Sequence, residues 1–432
     1  MIVLINKFIF WIKDILKLGC IRTINMKIGT NKQLIIKVNN QIIESDSTEY
    51  SNTEMDNLRD LLNKTKSKLD KYYILAQNDL NFRKKWNRFQ NIIDIYKPMR
   101  RVIEQKYNAK HVTNAWMKYM ELFNTFDLFS NNYEIYTEYN LVTTKNTKYV
   151  AFFNAELPGA ALCAFNHFMK TRNLNFTWYG SSYISNDLST FGDFYGLYAN
   201  NKNNWMMSNN NNGDMTCIDN ILDIADKIGS NSPIGGVDFY SHDAGMDVSS
   251  DFNNQELINA KLHLGCALAG FLTMKVGACF IAKQYTFFEK LTLDLIMIYS
   301  QLFNEFYICK PLTSRPYNSE IYLIGKGYKG VDDAIKKILI DKLVNFNTEP
   351  LLNTAYNMEI FNFAELVFIQ QIDFINENIY LLEKYKNDIW LLNRQIEPIR
   401  NKSINNWLRK YPIFKISDNN QLDTFCKNKL KN

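Results

Sequence analysis

Apolar residues recur with a helical period near both ends of the chain. Across 55–107 they return at steps of three and four residues, which is the spacing of one face of an α-helix. The segment 30–53 before it is polar and predicts a loop or a short hairpin. After Gly330 the helical period returns, most clearly at 332–345 and 364–387. The chain is therefore expected to begin and end in helical regions.

Short apolar runs, some separated by helical stretches such as 160–171 and 255–274, fill the middle of the chain. This alternation predicts an α/β fold with a mostly parallel sheet covered by helices on both faces. Ligands of such sheets bind beyond the carboxyl ends of the strands. The Asn-rich segment 199–213 is predicted to be an exposed loop. The predicted strands are 149–154, 175–180, 237–241, 277–283, 306–310 and 321–325.

Composition narrows the class of protein only slightly. The chain has 432 residues, of which 46% are hydrophobic, enough for one catalytic domain with appendages or for two domains. A formal net charge of +6 is compatible with a polyanionic partner without demanding one. The seven cysteines are scattered without a C-x-x-C pair, so neither a disulfide framework nor a structural zinc is expected. A reducing compartment is the better expectation.

The apolar leader, residues 1–25, is interrupted by charged residues and is too short between them to span a membrane. It also lacks the small-residue cleavage site of a signal peptide. We expect an amphipathic helix docked on the protein, with a membrane-surface helix as the alternative. Translation from Met26 would make the leader irrelevant.

Small residues mark the turn between a predicted strand and the helix that follows. Pro158, Gly159 and Ala160 would let the backbone approach a ligand closely, and a helix N-terminus offers free N–H groups. Taken alone, Pro-Gly at such a position is commonly just a turn. The full G-x-G-x-x-G pattern is missing, which argues against NAD or FAD.

Four charged residues occupy positions where chemistry is expected. Asp243 follows a predicted strand, Lys283 ends an apolar run, and Glu320 begins another strand. Lys118 lies on a helical stretch. Each has an ordinary explanation by itself, because an aspartate often caps a loop and a lysine stem often packs on apolar surface. Their joint placement around one end of the sheet is what indicates a site.

Six segments around these residues resemble, in order, the FtsJ-like 2′-O-methyltransferases that act on RNA ribose. The resemblance covers about 108–330, and its most specific part is the string K-P-x-x-S-R-x-x-x-S-E-x-Y that begins at Lys310. It is strongest toward the branch with the eukaryotic cap-specific methyltransferase for the second transcribed nucleotide and its large-DNA-virus relatives. The six segments are 113–122, 154–168, 212–216, 242–247, 280–284 and 310–323.

The resemblance implies a Rossmann-like class I methyltransferase sheet and S-adenosylmethionine as the cofactor, with no metal required. It divides the chain into a helical N-terminal region at 1–107, for RNA or partner contact, a methyltransferase domain at 108–330 and a helical C-terminal region at 331–432. The implied catalytic tetrad is Lys118, Asp243, Lys283 and Glu320. The implied cofactor-binding residues are Glu156, Pro158, Gly159, Ala160, Trp178, Asp214 and Asp243.

In the implied reaction Lys283 is the base that accepts the proton of the ribose hydroxyl. Burial and the nearby Lys118 are expected to lower its pKa toward neutrality. Asp243 and Glu320 would orient the amines and the hydroxyl. Trp178 lies in the region where relatives often carry an acidic residue that holds the cofactor ribose. Its side chain could equally well pack in the core or contact the adenosine.

The expected substrate is RNA, most specifically the 5′ end of capped mRNA, and a protein partner is compatible with the flanking regions. A ribosomal RNA 2′-O-methyltransferase is the alternative within the class, although such enzymes are often a bare catalytic domain. The alternative outside this class is a catalytically inactive RNA-binding paralogue. Retention of all four tetrad residues argues against that alternative. The expected location is the cytoplasm, in a host cell or virion if the chain is viral, with the nucleus as an alternative.

A basic cluster precedes the helix of Lys118 along the chain. It is a candidate for contact with RNA phosphates. A solvated helix face explains a charge run of this size equally well. The cluster consists of Arg83, Lys84, Lys85, Arg88, Arg100 and Arg101.

Overall fold

The structure is a computed structural model of the chain. It describes residues 28, 32–38, 52–129, 132–136, 141–145, 148–184, 192–210, 212–246, 248, 251–352 and 358–422. The helix predicted for the leader lies outside these residues. Among the helices that are described, none is long and apolar enough to cross a membrane.

The described strands and helices follow one another through the whole chain. The strands are β1 (Leu34–Lys37), β2 (Asn132–Tyr136), β3 (Leu141–Lys145), β4 (Tyr149–Asn154), β5 (Phe176–Gly180), β6 (Val237–His242), β7 (Met274–Gln284), β8 (Phe303–Lys310) and β9 (Ile321–Tyr328). The helices are α1 (Asn52–Lys66), α2 (Asp70–Asn78), α3 (Leu80–Ile93), α4 (Met99–Tyr107), α5 (Asn114–Phe126), α6 (Ala160–Thr171), α7 (Leu197–Asn200), α8 (Ile218–Asn231), α9 (Gln255–Thr273), α10 (Lys290–Leu302), α11 (Asp333–Val344), α12 (Met358–Tyr385) and α13 (Ile389–Lys410).

Among the described residues, one seven-stranded sheet in the order β1-β8-β9-β7-β6-β4-β5 organises the fold. Its β5-β4-β6-β7 half is parallel, as predicted. The other half is antiparallel, because β9 pairs antiparallel with β7 and β8, and β1 pairs antiparallel with β8. The sheet is therefore mixed, and the prediction of a mostly parallel sheet was wrong for this half. No crossover helix separates β8 from β9, and two strands joined by a short connection must run antiparallel.

Helices cover both faces of the sheet, as the α/β prediction requires. Along β4 the side chains of Tyr149, Ala151 and Phe153 belong to a core shared with α5 and α6. The alternate residues Val150 and Phe152 belong to a second core shared with α8, α9 and α10. Every residue of β4 is buried, which explains why it is apolar throughout rather than alternating with polar residues.

The helices of the two flanks pack on each other as well as on the sheet. Helix α1 contacts α12, and α3 contacts α13. Trp407 of α13 is 1% exposed and lies in the same core as residues of α5. The helical nature of both flanks is thus as expected from the sequence. The domain boundaries at 107 and 330 stay a prediction.

Two segments differ from their predicted form. Within 30–53, Leu34–Lys37 is β1, which pairs with β8 rather than within a local hairpin. Within the Asn-rich segment 199–213, residues 205–208 are buried, and Trp205 forms a backbone bridge to Gly180. The exposed-loop prediction was therefore wrong for 205–208, because the tryptophan and two methionines there outweigh the surrounding asparagines.

Candidate active site

The four predicted tetrad residues meet at one edge of the sheet. Asp243 directly follows β6, and Lys283 is the penultimate residue of the parallel neighbour β7. Because β9 is antiparallel to β7, it begins where β7 ends, and Lys283 is paired with Tyr322. Glu320, just before β9, therefore lies at the same edge. Lys118 reaches this edge from α5 and forms an ion pair with Glu320.

Hydrogen bonds link the tetrad into one network. The Lys283 Nζ donates to the Asp243 carbonyl at 2.7 Å and lies 3.4 Å from Asp243 Oδ1. The hydroxyl of buried Tyr322 donates to Glu320 Oε1 at 2.6 Å and lies 3.5 Å from Asp243 Oδ1. Tyr322 thus connects the two carboxylates. It is the final residue of the K-P…S-E-x-Y string, but sequence reasoning assigned it no part in the site.

The expected low pKa of Lys283 was wrong. Burial by itself would lower the pKa, but Asp243, Tyr285 and Glu320 outweigh burial and raise it above the usual value for lysine. Burial would likewise raise the pKa of Glu320, yet Lys118 and Lys283 overcome it and hold that pKa well below its usual range. Each lysine of the tetrad is thus paired with a carboxylate, Lys118 with Glu320 and Lys283 with Asp243.

A lysine with a lowered pKa does lie next to the tetrad, namely Lys310 at the start of the K-P…S-E-x-Y string. Burial lowers its pKa to about 7. Its Nζ donates to the Asn318 carbonyl at 2.6 Å and to the Glu320 carbonyl at 2.7 Å. Lys310 therefore closes the 311–320 loop on itself and fixes the backbone of Glu320.

Glu121, one helical turn after Lys118 on α5, is a second positioning group that sequence reasoning missed. Its carboxylate is fully buried and accepts hydrogen bonds from Leu312 N at 2.7 Å and Thr313 N at 3.2 Å. It also accepts one from Trp407 Nε1 at 3.1 Å. One carboxylate thus joins the helix of Lys118, the loop before Glu320 and the C-terminal helix α13. Its position one turn after Lys118 is the only sequence signal for this role.

Glu156 lies between the tetrad and the predicted cofactor site. Its Oε1 accepts from Leu162 N at 2.8 Å, so the carboxyl group covers the N-terminus of α6. Burial raises its pKa to about 8, Asp243 adds to the rise, and Lys283 opposes it. The side chain is thus close enough to both tetrad residues for direct electrostatic interaction.

The Pro158-Gly159-Ala160 turn has a steric requirement of its own. Gly159 has a φ of +108°, in the left-handed region that favours glycine, and a Cβ there would collide with the Leu197 side chain. A bulky residue at Gly159 would therefore disturb the fold whether or not a cofactor binds. Substitution of Gly159 therefore cannot separate a loss of cofactor contact from a disturbed fold.

Polar groups beyond β5 offer acceptors for the expected cofactor. The Ser181 hydroxyl is buried without a hydrogen-bond partner in the described part of the chain. Gly213 packs so closely on Ser182 that a Cβ would collide with its carbonyl oxygen, which brings the turn of Asp214 to the end of β5. Asp214 Oδ1 accepts from Thr216 N at 2.9 Å. The amines and hydroxyls of S-adenosylmethionine need such acceptors, so these residues fit the cofactor.

Trp178 occupies the interior of β5 rather than its end. It is 6% exposed and packs edge-on against Trp205, with ring centroids 6.0 Å apart. This environment is that of a core aromatic. Its contact with adenosine stays a prediction.

The side chains of the basic cluster of the N-terminal flank differ in whether they contact other residues of the protein. Arg83 Nε donates to the Ala76 carbonyl at 2.6 Å, and the Arg88 guanidinium lies 4.1 Å from the Trp390 ring centroid. Lys84, Lys85 and Arg101 are exposed without such contacts among the described residues, Arg83 and Arg88 are exposed as well, and Arg100 is half-buried. Only part of the cluster is thus presented as a free basic face, and its contact with phosphate stays a prediction.

Comparison with known proteins identifies the family of the chain. The model of the FtsJ-like methyltransferase family matches residues 186–328. "Probable methyltransferase EP424R" of African swine fever virus is 36% identical over 355 residues, covering 78% of each chain. The "cap-specific mRNA (nucleoside-2'-O-)-methyltransferase 2" of Mus musculus is 24% identical over 338 residues, covering 74% of this chain and 42% of the mouse protein. A viral relative of this identity and coverage decides the assignment. The chain belongs to the FtsJ-like methyltransferase family, whose members use S-adenosylmethionine.

Proposed function

We propose that this methyltransferase modifies a ribose 2′-hydroxyl of RNA in the 5′ cap region of mRNA. The observation that supports this best is the meeting of Lys118, Asp243, Lys283 and Glu320 at the sheet edge beside Glu156. A ribose hydroxyl is a poor nucleophile at neutral pH and needs a base and alignment. The Lys283 amine, which lies between two carboxylates, offers the alignment, and it offers the base in those molecules in which it is neutral.

When bound, S-adenosylmethionine supplies an activated methyl group on a positively charged sulfur. In the proposal, Lys283 contacts the 2′-hydroxyl and accepts its proton when the amine is neutral. Asp243 holds that amine through its carbonyl and carboxylate. Lys118 and Tyr322 hold Glu320, which orients the hydroxyl from the other side. Ser181, Asp214 and Glu156 are the proposed cofactor contacts.

The choice of the cap region rests on the mouse relative, which is named as cap-specific. The chain spans less than half of that protein, so the substrate remains our proposal. The helical flanks are consistent with it, because a pocket that accepts any ribose needs further surfaces to choose among RNA sites.

The proposal can be tested by mass spectrometry of short RNAs after incubation with protein and S-adenosylmethionine. We expect one added methyl group on a ribose near the 5′ end of a capped RNA, and none on the matched uncapped RNA. The Lys283→Ala variant is the control for contaminating activity. Equal methylation of capped and uncapped RNA would reject the cap assignment. A methyl group on a base instead of a ribose would reject 2′-O chemistry.

A further inference from the structure

A cation beside the tetrad is held in position by a buried carboxylate. Asp94 is 5% exposed, and its Oδ2 accepts from Arg315 Nε at 3.0 Å. The Arg315 side chain is 42% exposed, and neither of its terminal Nη groups has a hydrogen-bond partner among the described residues. A guanidinium fixed through Nε keeps both Nη groups available to an anion, the geometry that suits phosphate.

A second arginine lies beside this pair. Arg100 is close enough to Asp94 and Arg315 to interact electrostatically with both, and Glu104 balances part of its charge. Its Nε donates to Asn114 Oδ1 at 3.2 Å, at the first residue of the helix that carries Lys118. Asp94 thus lies within electrostatic reach of two guanidinium groups.

Two partly exposed aromatic rings adjoin Arg315. Tyr73 of α2 is 37% exposed, and Phe252, in the segment after Asp243, is 42% exposed. Their ring centroids are 5.8 Å apart with planes 31° from parallel. Burial raises the pKa of Tyr73, and the nearby Arg315 guanidinium opposes that rise. Tyr73 is therefore within electrostatic reach of the Arg315 guanidinium, and Phe252 packs on Tyr73.

This surface borders the catalytic edge through the 311–320 loop. Arg315 is near enough to Glu320 to interact with it electrostatically. Phe252 belongs to the connection that leaves the same edge from Asp243. Aromatic rings beside an available guanidinium are the combination by which proteins bind unpaired nucleotides, with bases stacked on rings and phosphates on arginine.

We propose that the arginine–aromatic surface, formed by Tyr73, Phe252, Arg100 and Arg315, binds the nucleotide next to the methylated ribose in single-stranded RNA. Tyr73 and Phe252 stack its base, while Arg315, with Arg100 behind it, holds its phosphate. The inference rests on the proposed RNA 2′-O activity. It gives the N-terminal flank a defined part in substrate binding, because Tyr73 and Arg100 both come from that flank.

The test uses the full chain and the RNA that the wild type methylates, with 2-aminopurine placed in turn at each nucleotide flanking the modified one. We expect the wild type to quench 2-aminopurine at one flanking position, as stacking requires. Tyr73→Ala should abolish this quenching and raise the RNA KM about tenfold, a typical effect for one stacked base. Tyr73→Phe keeps the ring and should stay within about twofold of wild type. The kcat and the affinity for S-adenosylmethionine should be unchanged.

Further variants separate stacking from folding and from charge. If Tyr73→Ala fails to fold, Phe252→Ala tests the loss of stacking in its place. The matched control is Tyr380→Ala, which removes an exposed tyrosine on α12. Arg315→Gln should reduce the slope of log RNA affinity against log salt concentration by about one in magnitude, whereas Arg315→Lys should preserve that slope. If the wild type methylates ribose but Tyr73→Ala and Phe252→Ala leave both the RNA KM and the quenching unchanged, the inference is overturned and the proposed function is not. Absence of ribose methylation by the wild type would instead overturn the proposed function.

Discussion

The tetrad side of the site and the cofactor side differ in how completely the protein satisfies their polar groups. On the tetrad side, both lysines are paired with carboxylates, and Tyr322 joins those carboxylates. On the cofactor side, the Ser181 hydroxyl has no partner among the described residues. The difference indicates that the acid–base groups hold one another in place, whereas the Ser181 hydroxyl keeps its hydrogen-bonding capacity for a ligand.

Loss of the proposed base is the largest expected effect on the tetrad side. Lys283→Ala should reduce methyl transfer about a thousandfold, the usual size of a general-base contribution, while calorimetry shows cofactor binding retained. Lys283→Arg should be nearly as damaging, because a guanidinium stays protonated and accepts no proton. Lys326→Ala, on the same sheet, is the matched control. Activity near wild type in Lys283→Ala would remove Lys283 from the mechanism.

The raised pKa of Lys283 predicts how turnover depends on pH. Below that pKa, the neutral amine increases tenfold for each pH unit, so log kcat should rise with a slope near one from pH 7 to 9, about a hundredfold in all. The contribution of Lys283 to the free energy of unfolding should not fall between pH 7 and 9. A group whose folded pKa is raised stabilises the fold fully below its unfolded pKa and loses that contribution only as pH rises through the folded value. A flat profile in single-turnover measurements would exclude Lys283 as the base.

Glu121→Gln should disturb the tetrad indirectly, through the loop that precedes Glu320. The amide keeps one acceptor oxygen but turns an NH₂ group toward donors, so the 311–320 loop should shift and kcat should fall about tenfold. The KM for S-adenosylmethionine should be unchanged. Trp407→Phe removes one donor only and should have a smaller effect in the same direction. A lower melting temperature with an unaltered kcat would mean that Glu121 stabilises the fold without positioning Glu320.

Asp214→Asn tests the cofactor side. It preserves the Oδ1 that accepts from Thr216 but removes the charge, so we expect about tenfold weaker binding of S-adenosylmethionine by calorimetry. At saturating cofactor, kcat should remain near wild type. Asp219→Asn, at an exposed position in the first turn of α8, is the matched control. Equal affinities for the two variants would place the cofactor away from Asp214.

The smallest expected effect concerns the exposed basic face of the N-terminal flank. We expect a smaller salt dependence of RNA affinity when Lys84, Lys85 and Arg101 are replaced with glutamine. The slope of log affinity against log salt concentration should fall in magnitude by about one for each phosphate that the protein no longer neutralises. Arg83 and Arg88 are left in place, because they make internal contacts. Cofactor affinity should hardly change. An unaltered salt slope would identify the face as merely solvated.

Local patterns explain how much of the fold could be predicted. All six predicted strands and the helices at 160–171 and 255–274 are present, because period and apolar length are properties of contiguous residues. Helices α8 and α10 and the β2–β3 hairpin were not identified from the sequence. The antiparallel half of the sheet was missed as well, although the lack of a helix between β8 and β9 was a usable signal.

The amino-acid sequence alone specifies the family, the strand ends that carry Asp243, Lys283 and Glu320, and the order of the tetrad residues along the chain. Tertiary structure decided their electrostatics. Lys283 keeps its proton because carboxylates 40 and 37 positions away meet it in space, and Glu121 is satisfied by donors up to 286 positions away. A pKa sums charges and solvent exclusion from every direction, whereas a sequence pattern records only neighbours along the chain.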